Sequence, residues 1–77
     1  MTVTAYVMVK ASSGDADRIR TAIADLDGVE EVHIVAGDMD LIAKVRVDGP
    51  GDVKTVAATG IQGIDGVEDT QTYIAMD

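Results

Sequence analysis

The segment Leu26-Asp27-Gly28-Val29-Glu30 returns 38 positions later as Ile64-Asp65-Gly66-Val67-Glu68, and the same offset lays Val3 to Val9 over Leu41 to Val47. The offset is half the chain. A repeat of this length is one supersecondary unit that cannot bury its apolar face alone, so the two copies must pack together around a single core.

Seventy-seven residues make one domain, residues 1–77, and one small enough that its core buries only about 60 to 65 per cent of the unfolded surface. Such a chain needs further stabilisation, and with no cysteine it has neither disulfides nor thiolate metal sites to supply it. Oligomerisation is the remaining source. Phe and Trp are absent and Tyr6 and Tyr73 are the only aromatics, so Val, Ile, Leu, Met and Ala must form the core.

Fourteen acidic residues against six basic ones give a net charge of −8, a field that repels phosphate backbones and anionic membranes. Direct nucleic-acid binding is not expected. Abundant Asp and scarce Lys suit a halophilic cytoplasm, where high salt screens the self-repulsion. No apolar run approaches the roughly 20 residues of a membrane span and no signal peptide is evident, so the expected location is cytoplasmic.

Apolar residues alternate from Val3 to Val9, placing Val3, Ala5, Val7 and Val9 on one face of a strand. Ser12-Ser13-Gly14-Asp15 offers a helix cap, and Ala16, Ile19, Ala22, Ile23 and Leu26 form the apolar stripe of a helix ending at Gly28. Val29 to Ala36 reads as a second strand, Gly37-Asp38 as a turn and Asp40 to Val47 as a third strand. Asp48-Gly49-Pro50-Gly51-Asp52 breaks that strand and caps a second helix from about Asp52, with Gly60 and Gly63 predicting irregularity at its end. Val67 to Met76 is the last strand.

The order βαββαβ predicts the α+β class, specifically a ferredoxin-like sandwich with strands one and three central and both helices on one face. The uncovered face would carry Thr4, Tyr6, Met8, Ile42, Lys44 and Arg46. With one choice of phase for the outer strands it also carries Val32, Ile34, Thr70, Thr72, Ile74 and Met76. A face this apolar calls for a second copy packed sheet to sheet, as in a dimeric α+β barrel.

No catalytic set emerges. His33 is the only histidine, Ser12 and Ser13 fall at a helix cap, and no Cys pair is available for a heavy metal. Gly49-Pro50-Gly51 lacks the Lys-Ser or Lys-Thr of a phosphate loop, so no cofactor is expected. Gly37-Asp38-Met39-Asp40 reads either as a hairpin turn with two solvated acids or as a binding loop.

Taken in order, Leu26-Asp27-Gly28-Val29, Gly37-Asp38-Met39-Asp40-Leu41 and Gly66-Val67-Glu68-Asp69-Thr70-Gln71-Thr72 resemble the effector-binding (RAM) domain of the Lrp/AsnC regulators. The likeness spans essentially the whole chain. It implies a homodimer assembling into an octameric or decameric ring, with small effectors, usually amino acids, bound between neighbouring dimers. The ligand-binding residues so implied are Gly37, Asp38 and Asp40 from the turn and Thr70 and Thr72 from the last strand. Asp40 would hold an ammonium group, Asp38 would matter less, and Met39 stands where the family often has an aromatic residue.

Full-length members place a winged helix-turn-helix before this domain, whereas Met1-Thr2 leads straight into the first strand here. The expectation is therefore a domain without a DNA-binding part, sensing an amino acid in transcription regulation alone or by co-assembly with full-length Lrp/AsnC regulators. Two other readings stand beside it. One is an enzyme or enzyme subunit of the dimeric α+β barrel type, with Tyr6 as the only candidate in its cavity; the other is an ACT-like regulatory module binding near Gly14.

Overall fold

The computed structural model describes residues 2–77. Strand β1 (Val3–Ala11) leads to helix α1 (Ala16–Ala24), then β2 (Val29–Ile34), β3 (Leu41–Val47), helix α2 (Pro50–Lys54) continuing as a π-helical segment (Thr55–Ile61), and β4 (Val67–Ile74). The four strands form one antiparallel sheet in the order β2-β3-β1-β4. This is the ferredoxin-like sandwich that the sequence order predicts.

The core lies between the sheet and the helical layer. Val7, Val9, Leu41 and Val45 of the central strands meet Ile19 and Ile23 of α1 and Ile61 of the π segment, all fully buried. Each such side chain contributes about 1.5–3 kcal/mol by leaving water. No polar or charged residue is buried among the described residues, so the core is held by packing alone.

The repeat takes on a structural meaning at its two glycines. Gly28 and Gly66 adopt φ of 94° and 99°, a left-handed geometry that glycine tolerates without a Cβ clash. Their carbonyls then accept matching bonds, Arg46 N–H to Gly28 at 2.8 Å and Ser12 N–H to Gly66 at 2.8 Å. One residue further on, the ladder slips in both halves: Val29 pairs with Val45 but Glu31 with Lys44, and Val67 pairs with Ala11 but Asp69 with Lys10. Glu30 and Glu68, equivalent in the repeat, are thus the extra residues of two β-bulges.

These bulges correct the phase expected for the outer strands. Val32 pairs with Ala43, Ile34 with Leu41, Thr70 with Val9, Thr72 with Val7 and Ile74 with Ala5, so all five belong to the helix-side face, not the open one. Met76 lies beyond β4 and is almost wholly exposed. The open face instead carries Tyr6, Met8, Ile42, Lys44 and Arg46 with His33, Gln71 and Tyr73. It has an apolar centre and a charged flank, where Glu30 lies 3.7 Å from Lys44 and 3.6 Å from Arg46.

The bulge registers also equate Ala11 with Val45, where the 38-residue offset would equate it with Gly49. The second half is longer between strand and glycine, and its helical layer takes up the difference. Gln62 N–H reaches back five residues to the Ala57 carbonyl at 3.0 Å, the wide turn of a π-helix. That widening keeps Val56, Ala57 and Ile61 all buried. Gly60 sits tightly against Leu26, whose Cδ1 would lie 3.0 Å from an added Cβ.

Both expected side-chain caps are absent. Asp15 occupies the N-cap of α1, but its carboxylate pairs with Arg18 at 3.3 Å and makes no cap bond. Gly49 caps α2 with no side chain to offer, and Asp52 falls inside its first turn.

Candidate functional site

A recess of about 400 Å³ opens on the bare sheet face beside the β2–β3 loop, with Gly37, Asp38 and Met39 on its rim and Met8, Ile42 and Gln71 beneath. Three interactions fasten the loop above it. Val35 N–H donates to the Asp40 carbonyl at 2.9 Å, and Asp40 N–H donates to the Val9 carbonyl at 2.9 Å. The Lys10 ammonium donates to the Asp38 carbonyl at 3.1 Å.

Asp40 behaves differently from Asp38. Its Oδ2 accepts the backbone N–H of Ala11 at 2.9 Å in a half-buried setting. Continued regularly past Val9 and Leu41, the β1–β3 ladder would set Ala11 opposite Met39, but the pairing ends before that point and the Asp40 carboxylate takes the place of a main-chain carbonyl. Asp40 caps neither its own turn nor its own backbone; it terminates β1 and retains one carboxylate oxygen beyond this bond.

Thr70 and Thr72 stand on the opposite side of the sheet from the recess. The Thr70 hydroxyl accepts the Gln62 amide at 2.7 Å, and its backbone N–H donates to Asp69 Oδ1 at 2.9 Å. Thr72 is exposed. Within one protomer the structure therefore groups Gly37 and Asp38 at the recess, while Asp40 is committed to β1 and the two threonines lie on the helix-side face of the edge strand.

Nothing in the sequence alone marks Met8, Ile42 and Gln71 as site residues. Met8 and Ile42 are adjacent across the ladder, a relation already implied by the alternation of β1 and β3. Gln71 joins them only through the bulge at Glu68, which reverses its phase. The other candidates for chemistry are dispersed: His33 is exposed with Glu31 at 3.9 Å, and Tyr6 lies between Lys44 and Tyr73 on the open face. Among the described residues no helix is long and apolar enough to cross a membrane.

The sheet order, the bare sheet face and the recess at the hairpin loop define a small ferredoxin-like α+β domain. The family model for the Lrp/AsnC ligand binding domain matches residues 4–77. The chain belongs to that family, the ligand-binding domain of transcriptional regulators. It is 27% identical to the leucine-responsive regulatory protein of Haemophilus influenzae, over 100% of this chain and 46% of that protein. It is 35% identical to an uncharacterized HTH-type transcriptional regulator of Pyrococcus abyssi, over 96% of this chain and 51% of the relative. The chain thus spans about half the length of the curated relatives it matches. Among solved structures, TTHA0845 from Thermus thermophilus superposes with a TM-score of 0.94 at 35% identity, covering 97% of this chain and 94% of that one.

Proposed function

We propose that this domain binds a small effector, an amino acid, and passes its occupancy to transcriptional regulation through assembly with other subunits. The recess at Gly37 and Asp38 carries the proposal. The Asp38 carboxylate can hold an ammonium group and the Gln71 amide can donate to a carboxylate, while Met39 offers an apolar surface to a side chain. Family membership and the name of the leucine-responsive relative favour an amino acid over other small molecules.

Assembly is part of the same proposal. The apolar centre of the open face, Tyr6, Met8, Ile42 and Tyr73, is the surface a second copy would cover, giving a sheet-to-sheet homodimer that builds into a ring. Because Thr70 and Thr72 lie on the far side of their own sheet, they would reach an effector held by Gly37, Asp38 and the free oxygen of Asp40 only from a neighbouring subunit. Co-assembly with full-length Lrp/AsnC regulators would supply the DNA contact that a chain of charge −8 is unsuited to make. The domain acts in the cytoplasm, at high salt, and by binding, not catalysis.

A thermal-shift screen against the amino acids, followed by calorimetry on the best, tests this reading. The expected result is selective stabilisation by one or a few amino acids with saturable heat. A flat response across the set would remove the effector from the proposal.

A further inference from the structure

The rim of the recess holds two opposite charges that do not neutralise each other. The Lys10 ammonium reaches a loop 28 positions further along the chain, yet it settles on the Asp38 carbonyl at 3.1 Å and on no carboxylate. Neither Lys10 nor the Asp38 side chain enters an ion pair among the described residues. The other acids near this lysine are committed elsewhere: Asp69, directly across the ladder, accepts the Thr70 N–H at 2.9 Å, and Asp40 accepts that of Ala11.

Strand geometry fixes where the cation stands. Lys10 follows Met8 by two residues in β1, so both side chains leave the open face, and Gln71, which pairs with Met8, is the diagonal neighbour of Lys10. Two long side chains so placed can reach one small group between them. The Gln71 oxygen accepts the Tyr73 hydroxyl at 3.1 Å, which leaves the amide N–H groups without a protein partner among the described residues. The corner between loop and sheet thus presents donors from Lys10 and Gln71 beside the carboxylate of Asp38.

We propose that Lys10 holds the α-carboxylate of the effector, with Gln71 beside it and the α-ammonium on Asp38. An α-amino acid carries both charges on one carbon, and here the protein's cation is seated on the backbone of the very residue that bears the anion. The inference rests on the reading of the recess as an amino-acid site, and adds which part of the molecule is recognised. Only a zwitterion satisfies both open charges at once. An amino-acid amide leaves Lys10 unpaired, and a plain carboxylic acid leaves Asp38 unpaired and meets the repulsion of the acids around it.

Each of the twenty L-amino acids is titrated by calorimetry into the wild type, Lys10→Met and Asp38→Asn. Every one that binds is then repeated as its α-carboxamide, which keeps the ammonium and the side chain but loses the negative charge. Lys10→Met should weaken the amino acid about ten-fold and leave the carboxamide unchanged, whereas Asp38→Asn should weaken both. Undiminished affinity for the amino acid in Lys10→Met, beside a loss in Asp38→Asn, would overturn the role of Lys10 and leave the recess standing as the site. An equal loss for amino acid and carboxamide in Lys10→Met would also overturn it, reducing Lys10 to a tie for the loop. Failure of all twenty to bind the wild type would overturn both the recess and the lysine.

Discussion

The carboxylate of Asp40 receives the backbone N–H of Ala11 at 2.9 Å, joining the entrance of β3 to the end of β1 across 29 residues of sequence. An acid in a conspicuous turn is thereby a strand terminator. The loop that carries Gly37 and Asp38 is tied to the end of β1 at its base by this bond.

Removing this acceptor strands an amide in a half-buried position. Asp40→Ala is expected to cost about 1–3 kcal/mol, whereas Asp40→Asn keeps a neutral acceptor and should cost less than half as much. Thermal unfolding of the three proteins at fixed salt checks the order. Equal melting temperatures would show that the bond contributes nothing to stability.

Among the described residues the Asp38 side chain makes no bond, and it lines the recess, so its loss should leave stability within about 0.5 kcal/mol. Effector affinity should fall by about 5- to 20-fold in Asp38→Asn through loss of a charge-assisted bond at a partly exposed site. Calorimetry with the amino acid found by screening decides, and undiminished affinity would take Asp38 out of the site.

Gly28 is constrained twice. Its φ of 94° disfavours any side chain, and an added Cβ would meet Val47 Cγ1 at 2.9 Å and Val56 Cγ2 at 3.2 Å. Gly28→Ala should therefore destabilise by about 2–4 kcal/mol, combining backbone strain with a core shift. Gly14 has a φ of 84° but open space around it, so Gly14→Ala should cost only about 1 kcal/mol. Denaturant melts of both variants separate the strain from the packing.

Met8 sits at the centre of the open face, paired with Ile42 on one side and Gln71 on the other. Met8→Asp is expected to convert the proposed dimer to an 8.0 kDa monomer or to unfold it, while Asp17→Lys on the exposed side of α1 should leave assembly intact. Light scattering reads the difference. A wild-type protein that is already a stable monomer would remove the dimer from the proposal.

With a net charge of −8, the purified chain should give no gel shift with duplex DNA at any salt concentration. A shift that weakened as salt rose would contradict this directly. Binding seen only when a full-length regulator is added would place the contact on the partner.

Much of the architecture was readable from periodicity. The alternation in β1 and β3 assigned Ala5, Val7, Val9, Leu41, Ala43 and Val45 to the buried face because central strands have both neighbours to satisfy and run without interruption. The Gly-Val-Glu repeat marked two equivalent turns, since only glycine accepts their backbone geometry at low cost. What lay beyond the sequence was the face of the outer strands. The bulges at Glu30 and Glu68 each insert a residue, and a slip of one position sends every following side chain to the opposite side, which moved Thr70 and Thr72 away from the recess and brought Gln71 into it. Nor could local pattern reveal what Asp40 bonds, or that Arg18 lies over Gly66 while Val47 and Val56 fill the matching space at Gly28. Those relations join residues distant in the chain, and only the packed tertiary structure brings them within hydrogen-bonding range.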